Sequence, residues 1–180
     1  GDVYKRQILI ILGPSLGALS GFSCVSKKIP ATPTAIAALD VRDDISVNRT
    51  ASIYESDPMY NQDQPNFLNS VVEIETSLQP EIMMQVCQGI EMMLGRPTSR
   101  KKNEPRVIDI DILAYETISV ELGELKIPHP QLFARKFVLV PLAEIGSFFF
   151  VHDYGKTVSE LLTLCPDSSN IKKYKLEKTA

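Results

Sequence analysis

The sequence predicts a single α+β domain in which helices flank a sheet that contains antiparallel strands. Its 180 residues are enough to bury one core without disulfides or metals. Strand-like alternation of apolar residues recurs along the chain, and a clear helical repeat precedes the last long strand. The resulting order of strand, helix, strand, strand, helix and strand indicates a split βαβ unit of the ferredoxin-like type.

The N-terminal segment carries one strand and only weak helix signals. Residues 1–7 have the character of a cloning or sequencing scar, or of a disordered end, and we assign them no structure. Residues 8–12 predict a buried strand that ends in a turn at 13–17; a signal peptide is the alternative, which a run of only five apolar residues disfavours. A glycine and two prolines make residues 18–33 irregular or divergent, with helix only over 34–39.

The middle of the chain predicts two strands and the clearest helix. Residues 45–54 and 67–76 alternate in the manner of strands, and a loop at 56–65 with two prolines separates them. Residues 80–94 predict a helix, because Pro80 suits a first turn and Gly95 a helix end. Its expected core positions are Ile82, Val86, Ile90, Met93 and Leu94.

The last part of the chain predicts short strands and short helices after a basic loop at 96–106. We expect a strand at 107–115, a short strand or turn at 118–122, another short piece at 125–127, and helices at 135–144 and 158–164. Pro141 should break the first of these helices. Residues 166–180 are expected to form a C-terminal tail or linker, so that the domain spans 8–165.

The composition excludes several classes of function. A net charge of −3 gives no overall reason to bind nucleic acid or an anionic membrane. The three cysteines are far apart and only two histidines occur, so we expect neither a disulfide framework nor a multi-histidine metal site. This composition predicts a protein of a reducing compartment, cytoplasmic, or organellar if the source is a eukaryote.

Two aspartates in the last long strand are the strongest chemical signal. Strand alternation places Asp109 and Asp111 on one face, opposite three isoleucines that can enter the core. Asp is disfavoured in strands, so the pair either protects a sheet edge by charge or binds a hard cation such as Mg²⁺. The strand pattern alone leaves both explanations open.

The basic loop before this strand favours the cation site. Five cations occur within eleven residues: Arg96, Arg100, Lys101, Lys102 and Arg106. Each alone is better explained as solvated surface. Beside two carboxylates, however, they match a nucleoside triphosphate with magnesium, because cations contact phosphate oxygens and carboxylates hold the metal. The chain has no P-loop motif.

An aromatic pair suggests a second site. Phe67 and Asn69 share a strand face, and Phe137 lies at the start of an expected helix. Two aromatic rings can sandwich a planar heterocycle while an amide bonds to its edge. Either phenylalanine taken alone is more simply explained as part of the core.

Five motifs in order resemble one family. They are Tyr54-Glu55-Ser56-Asp57-Pro58, Asp63-Gln64-Pro65-Asn66-Phe67-Leu68-Asn69, Pro105-Arg106-Val107-Ile108-Asp109-Ile110-Asp111-Ile112-Leu113, Ile127-Pro128-His129-Pro130 and Arg135-Lys136-Phe137-Val138-Leu139-Val140-Pro141-Leu142. This set strongly resembles the 6-hydroxymethyl-7,8-dihydropterin pyrophosphokinases of folate biosynthesis, over about residues 45–165. The third motif is the most specific of the five.

The resemblance implies transfer of a diphosphate from ATP to the pterin hydroxymethyl group, with release of AMP. It implies that Asp109 and Asp111 hold two Mg²⁺ ions and form the catalytic set with Arg96 and Arg106. The implied pterin-binding residues are Ser56, Met59, Phe67, Asn69 and Phe137. The implied ATP-binding residues are Glu91, Arg96, Arg106, Ile112, His129 and Arg135.

Two alternatives stay open. The chain could be a ferredoxin-like module that binds a small molecule without catalysis, although the paired aspartates with Arg96 and Arg106 would then lack a purpose. It could also be a degenerate fragment of a multifunctional folate-synthesis polypeptide, or be fused to other folate-pathway domains. In each case we expect small-molecule ligands rather than nucleic acid or membrane.

Overall fold

The part of the chain that the structure, a computed structural model, describes contains ten strands, four α-helices and a 3-10 turn at His152–Tyr154. The described residues are 6–16, 31–57, 66–96, 107–116, 118–131 and 134–175. The elements are β1 (Arg6–Leu16), α1 (Ala31–Asp40), β2 (Ile45–Thr50), β3 (Tyr54–Ser56), β4 (Phe67–Thr76), α2 (Pro80–Met93), β5 (Asp109–Tyr115), β6 (Val120–Leu122), β7 (Leu125–Ile127), α3 (Lys136–Gly146), β8 (Phe150–Val151), β9 (Lys156–Thr157), α4 (Val158–Leu164) and β10 (Ile171–Lys173). Among these helices none has the length and apolarity to cross a bilayer.

The main sheet has the strand order of a ferredoxin-like domain. β1 lies between β4 and β5, and β2 and β3 follow each other along the other edge of β4. β10 adds to β3, and every pairing is antiparallel. β6 with β7 and β8 with β9 form two small sheets outside this one. The prediction of a split βαβ unit flanked by helices is confirmed.

Helices cover both faces of the main sheet and so fix the strand ends that carry the site. On one face Leu39 of α1 and Met83 of α2 are fully buried in a core that includes Ile110. On the other face Leu139 of α3 packs in a second core with Val158 of α4. Burying one such side chain contributes about 1.5–3 kcal/mol, so each face adds substantially to stability.

The bounds of several elements agree with the sequence patterns. β4 occupies the whole of the alternating segment at 67–76, and β7 and α4 have their expected bounds. A capping box begins α4, since Thr157 accepts a hydrogen bond from the amide of Glu160 and the Glu160 side chain bonds back to Thr157. The expected strand at 45–54 is divided into β2 and β3.

β1 is longer than its apolar run. The expected turn at 13–17 was wrong for residues 13–16, which continue the strand across a register shift between Leu12 and Ser15. Such an irregularity accommodates Gly13 and Pro14 within a sheet. Residues 17–30 lie outside the described residues. α1 starts three residues before Thr34, because a proline in the first helical turn loses no hydrogen bond.

The buried face of α2 is rotated from the one we expected. Ile90 is buried as expected, and Val86 and Leu94 pack against the core. Ile82 and Met93 are exposed, however, and Met83 and Cys87 are buried in their place. Apolar residues occur on two adjacent faces of this helix, and periodicity alone did not show which face meets the sheet. As a consequence of this rotation, the acidic residue Glu91 is also buried on this face of α2.

Two further expectations for the C-terminal part differ from the structure. α3 runs from Lys136 to Gly146 with Pro141 inside it, so the expected break is absent. Pro141 is buried, and its neighbours Leu139 and Leu142 belong to the second core, which offsets the loss of one backbone hydrogen bond. Within the expected tail, Ile171–Lys173 form β10, which pairs with β3.

Candidate functional site

The two aspartates lie on one face of β5, as the alternation predicts. Ile108, Ile110 and Ile112 are at most 6% exposed and belong to the core beneath α1 and α2. Asp109 is partly buried and Asp111 is exposed on the opposite face. The carboxylates are therefore held by a strand whose other face is fixed in the core.

A buried arginine links the carboxylates to α2. Nη1 of Arg96 lies 2.7 Å from Oδ1 of Asp109 and also forms an ion pair with Glu91. Oε1 of Glu91 accepts a hydrogen bond of 2.7 Å from the backbone amide of Ile110. Burial raises the pKa of Glu91 to about 7, although the Ile110 amide and Arg96 favour its charged form. In this structure Glu91 holds Arg96 and the start of β5.

Two cavities meet at the aspartates. One, of about 150 Å³, is lined by Glu91, Arg96 and Ile112 together with residues of β7. The other, of about 210 Å³, is lined by residues that include Gly13, Arg135 and Phe137. The residues shared by both cavities are Asp109, Asp111 and His129. Ligands in the two cavities would therefore meet beside the carboxylate pair.

The expected pterin-binding residues divide into two groups. Asn69 is 1% exposed, and its Nδ2 donates a hydrogen bond of 2.9 Å to Oγ of the buried Ser56. Phe67 is half-buried and pairs with Ser56 in the β3–β4 register. Phe137 lies across the site on α3 and lines the 210 Å³ cavity, while Phe67 is outside the described lining of that cavity.

Gly13 connects these two groups. It pairs with Asp109 across β1 and β5, and a Cβ built on it would lie 2.2 Å from Oδ1 of Asn69. Only a glycine allows β1 to pass so close to the amide. Sequence analysis assigned no site role to Gly13, because the contact that requires a glycine comes from Asn69 on another strand. Gln131, which lines the same cavity, carried no signal.

The loop after β7 positions His129. Its backbone amide donates to the Leu113 carbonyl at 2.9 Å, and its Nδ1 accepts from the amide of Gln131 at 3.3 Å. These contacts hold the imidazole beside β5. Two predicted site residues, Met59 and Arg106, lie outside the described residues, as does most of the basic loop.

The donor set at β5 fits magnesium. In the described ranges, no group of three or more His, Cys, Asp or Glu side chains is placed to hold a metal. Mg²⁺ commonly takes only one or two carboxylates and completes its shell with waters and substrate phosphates. Asp109 and Asp111 line both cavities, so their side-chain oxygens are hard donors at this junction.

Fold and site together define a ferredoxin-like α+β domain with an acidic and basic cleft between two small-molecule cavities. A family model described as 7,8-dihydro-6-hydroxymethylpterin-pyrophosphokinase matches residues 20–147. The chain belongs to this family.

Curated relatives support the assignment. A 2-amino-4-hydroxy-6-hydroxymethyldihydropteridine pyrophosphokinase of Bacillus subtilis is 44% identical over 111 residues, which cover 62% of this chain and 66% of the relative. A protein of the same name from Methylorubrum extorquens is 44% identical over 66% of this chain and 73% of its own length. The folic acid synthesis protein fol1 of Schizosaccharomyces pombe is 40% identical over 76% of this chain, but the match spans only 18% of that protein.

A solved structure supports the fold independently. The HPPK-DHPS of Plasmodium falciparum, crystallised with pteroate, superposes with a TM-score of 0.66 at 13% identity. The superposition covers 89% of this chain and 42% of that one. The chain thus corresponds to less than half of the Plasmodium protein.

Proposed function

We propose that this chain transfers a diphosphate from ATP to the hydroxymethyl group of 6-hydroxymethyl-7,8-dihydropterin and releases AMP, a step of folate biosynthesis. The observation that carries the proposal is the position of Asp109, Asp111 and His129 in the lining of both cavities. A transferase with two small substrates requires two compartments that meet at the reacting atoms. A family of this activity matches most of the chain.

The 150 Å³ cavity is our candidate for the nucleotide. It brings together Glu91, Arg96, Ile112 and His129, four of the residues that the resemblance assigns to ATP. Ile112 offers an apolar contact for a base, and Arg96 is a planar cation suited to phosphate oxygens. Arg135, a fifth ATP residue, lies in the neighbouring cavity and would reach the phosphates from the other side.

The 210 Å³ cavity and the adjoining β3–β4 edge are our candidate for the pterin. Phe137 would stack on one face of the heterocycle and Phe67 on the other. Asn69, held by Ser56, would bond to the polar edge of the ring. Met59 remains part of this proposal on the resemblance alone.

The reaction forms one phosphorus–oxygen bond and breaks another. The pterin hydroxymethyl oxygen attacks the β-phosphorus, the bond from that phosphorus to the oxygen shared with the α-phosphate breaks, and AMP leaves with the electron pair. The hydroxyl proton is released. We propose that Asp109 and Asp111 hold two Mg²⁺ ions, which when bound would neutralise phosphate charge, while Arg96 and Arg106 add fixed positive charge.

Production of AMP tests the proposal. Purified full-length chain is incubated with ATP and Mg²⁺, with and without hydroxymethyldihydropterin, and AMP is quantified. We expect AMP only when the pterin is present. ATP binding without pterin-dependent AMP would instead favour a binding module without catalysis.

A neighbouring folate-pathway domain is our proposed partner. The fol1 protein and the HPPK-DHPS chain both contain a region similar to this chain within a longer polypeptide. We propose that the pyrophosphokinase domain lies in such a setting and extends past residue 165 to include β10, which pairs with β3. The mass of the native polypeptide, measured in an extract of the source cells, distinguishes a fused from a separate domain.

A further inference from the structure

The C-terminal segment that follows α4 reaches the site from outside the region that defines the family. The family model matches residues up to 147. Asp167 lies twenty residues beyond that limit and is half-buried beside the start of α3. Its contacts give this segment a role that a linker would not have.

Asp167 supplies the N-terminal cap that α3 lacks in its own sequence. Arg135 occupies the N-cap position and makes no side-chain capping hydrogen bond, since a guanidinium cannot accept one. Oδ2 of Asp167 accepts a hydrogen bond of 2.8 Å from the amide of Lys136, the first residue of α3. Oδ1 accepts another of 2.9 Å from the amide of Ser169, which orients the carboxylate.

The charge state of Asp167 suits this contact. Partial burial acts against ionisation, but hydrogen bonds from Ser169 and the amide of Lys136, with the charge of Arg135, outweigh it and lower the pKa of Asp167. An anion at a helix N-terminus is favourable because it faces unpaired amides and the positive end of the helix dipole.

Lys136, whose amide bonds to Asp167, lies between two residues of the site. Arg135 precedes Lys136 and Phe137 follows it, and both line the 210 Å³ cavity. A hydrogen bond to the amide between them restricts the backbone torsions on which both side chains depend. The capping contact therefore acts on the geometry of the cavity as well as on the helix.

We propose that Asp167 is a positioning residue of the transferase, which orients Arg135 and Phe137 by holding the amide of Lys136. The proposal rests on the function proposed above. Asp167 is outside the described lining of both cavities and would act through Arg135 and Phe137, which line one of them.

Steady-state kinetics of the full chain test the proposal. Asp167→Ala is expected to raise KM for both substrates about fivefold, which corresponds to the free energy lost with one helix cap. The fall in kcat should be smaller. Asp167→Asn should stay within about twofold of wild type, because an amide oxygen still accepts the hydrogen bond. Asp43→Ala, which removes an exposed acid between α1 and β2, is the matched control. A purely structural role would reduce the folded fraction and hence kcat, and would leave KM unchanged.

Removing the donor provides a second route to the same contact. Lys136→Pro deletes the amide hydrogen at the first helical position, where proline is favoured, and the extended backbone of Arg135 suits a following proline. We expect Lys136→Pro to show the same KM values as Asp167→Ala. Combining the two substitutions should raise KM no further, and Lys136→Ala should keep wild-type KM values. If Asp167→Ala fails to fold, Lys136→Pro tests the same contact in its place.

Amide exchange separates this inference from the proposed function. NMR should show faster exchange at Lys136 in Asp167→Ala than in Asp43→Ala or Asp167→Asn. If the wild type makes no AMP, the proposed function fails, and faster exchange at Lys136 still supports the positioning contact. Unchanged KM values in an active Asp167→Ala variant, or unchanged exchange at Lys136, would overturn the inference.

Discussion

Gly13 and Asn69 are in such close contact that a methyl group on Gly13 would lie 2.2 Å from the Asn69 side-chain oxygen. Real Cβ contacts do not reach this distance, so one of the two groups has to move. Asn69 is the side chain that bonds to Ser56 and, in our proposal, to the pterin. The identity of residue 13 thus controls the orientation of an amide on the neighbouring strand.

Gly13→Ala is expected to weaken pterin binding about tenfold, because displacing Asn69 removes a buried hydrogen bond of the ligand. ATP affinity should change much less. Calorimetric titration with each substrate measures both. Gly89→Ala is the control, since an added methyl there meets nothing within 4 Å and alanine favours the helix by about 1 kcal/mol. Unchanged pterin affinity in Gly13→Ala would remove Asn69 from the pterin site.

Asp109→Ala and Asp111→Ala should each lower turnover at least about 100-fold and leave the fold intact. The fold should be retained because both side chains face away from the core formed by the neighbouring isoleucines. AMP formation and thermal unfolding are measured in parallel, with Asp43→Ala as control. Normal turnover with Mg²⁺ in either variant contradicts the metal assignment, and loss of folding would show that the pair is structural.

Arg96→Ala is expected to destabilise the protein by about 3 kcal/mol, because it leaves the buried Glu91 without its cation. Glu91→Gln should cost less, since the glutamine oxygen can still accept the hydrogen bond from Ile110. Urea unfolding of both variants gives the comparison. A loss below about 1 kcal/mol in Arg96→Ala would mean that the pair is solvated rather than buried.

Phe137→Ala should weaken pterin binding more than Phe67→Ala, because Phe137 is the one that lines the described cavity. Each stacking contact is worth about 1 kcal/mol beyond the area that it buries. Calorimetry with the pterin, alone and with a non-hydrolysable ATP analogue, measures the loss; we expect weak pterin binding until nucleotide is present. Tight pterin binding without nucleotide, unaffected by Phe137→Ala, places the pocket elsewhere.

Glu144 should make stability depend on pH below about 4.5. Partial burial opposes its ionisation, but hydrogen bonds from Lys173, Ser52 and Tyr54 outweigh burial and lower its pKa from 4.5 to about 2. A lowered folded-state pKa stabilises the protein above pH 4.5, and this contribution is lost as the pH falls towards 2.

Comparing Glu144→Gln with wild type checks this expectation. The melting temperature of the wild type should fall faster between pH 4.5 and 2 than that of the variant, which should already be less stable at pH 7. Asp43→Asn serves as the control for removal of a surface charge. Parallel curves for Glu144→Gln and wild type would contradict the assignment.

What could be predicted from the sequence was set by local patterns. The alternation of β4, the bounds of α4 and the opposite faces of the isoleucines and aspartates in β5 depend on neighbouring residues, and all three are found in the structure. Five ordered motifs also identified the family. The roles of the individual site residues remain predictions.

What could not be predicted depended on distant contacts. The buried face of α2 is chosen by the sheet against which it packs, and Pro141 is tolerated because the core holds α3 on both sides of it. The cap that Asp167 provides joins residues 31 positions apart. Gly13 matters only because Asn69 comes from another strand, and a single sequence carries no signal for that approach.

The place of β5 in the sheet has a consequence for the behaviour of the protein in solution. Among the described strands β5 ends the main sheet, where the amide of His129 donates a hydrogen bond to the carbonyl of Leu113. An apolar strand at such a position invites the addition of a strand from another molecule. Charged side chains oppose such pairing. We therefore expect that neutralising Asp109 and Asp111 together would favour oligomers and precipitation even where the monomer remains folded.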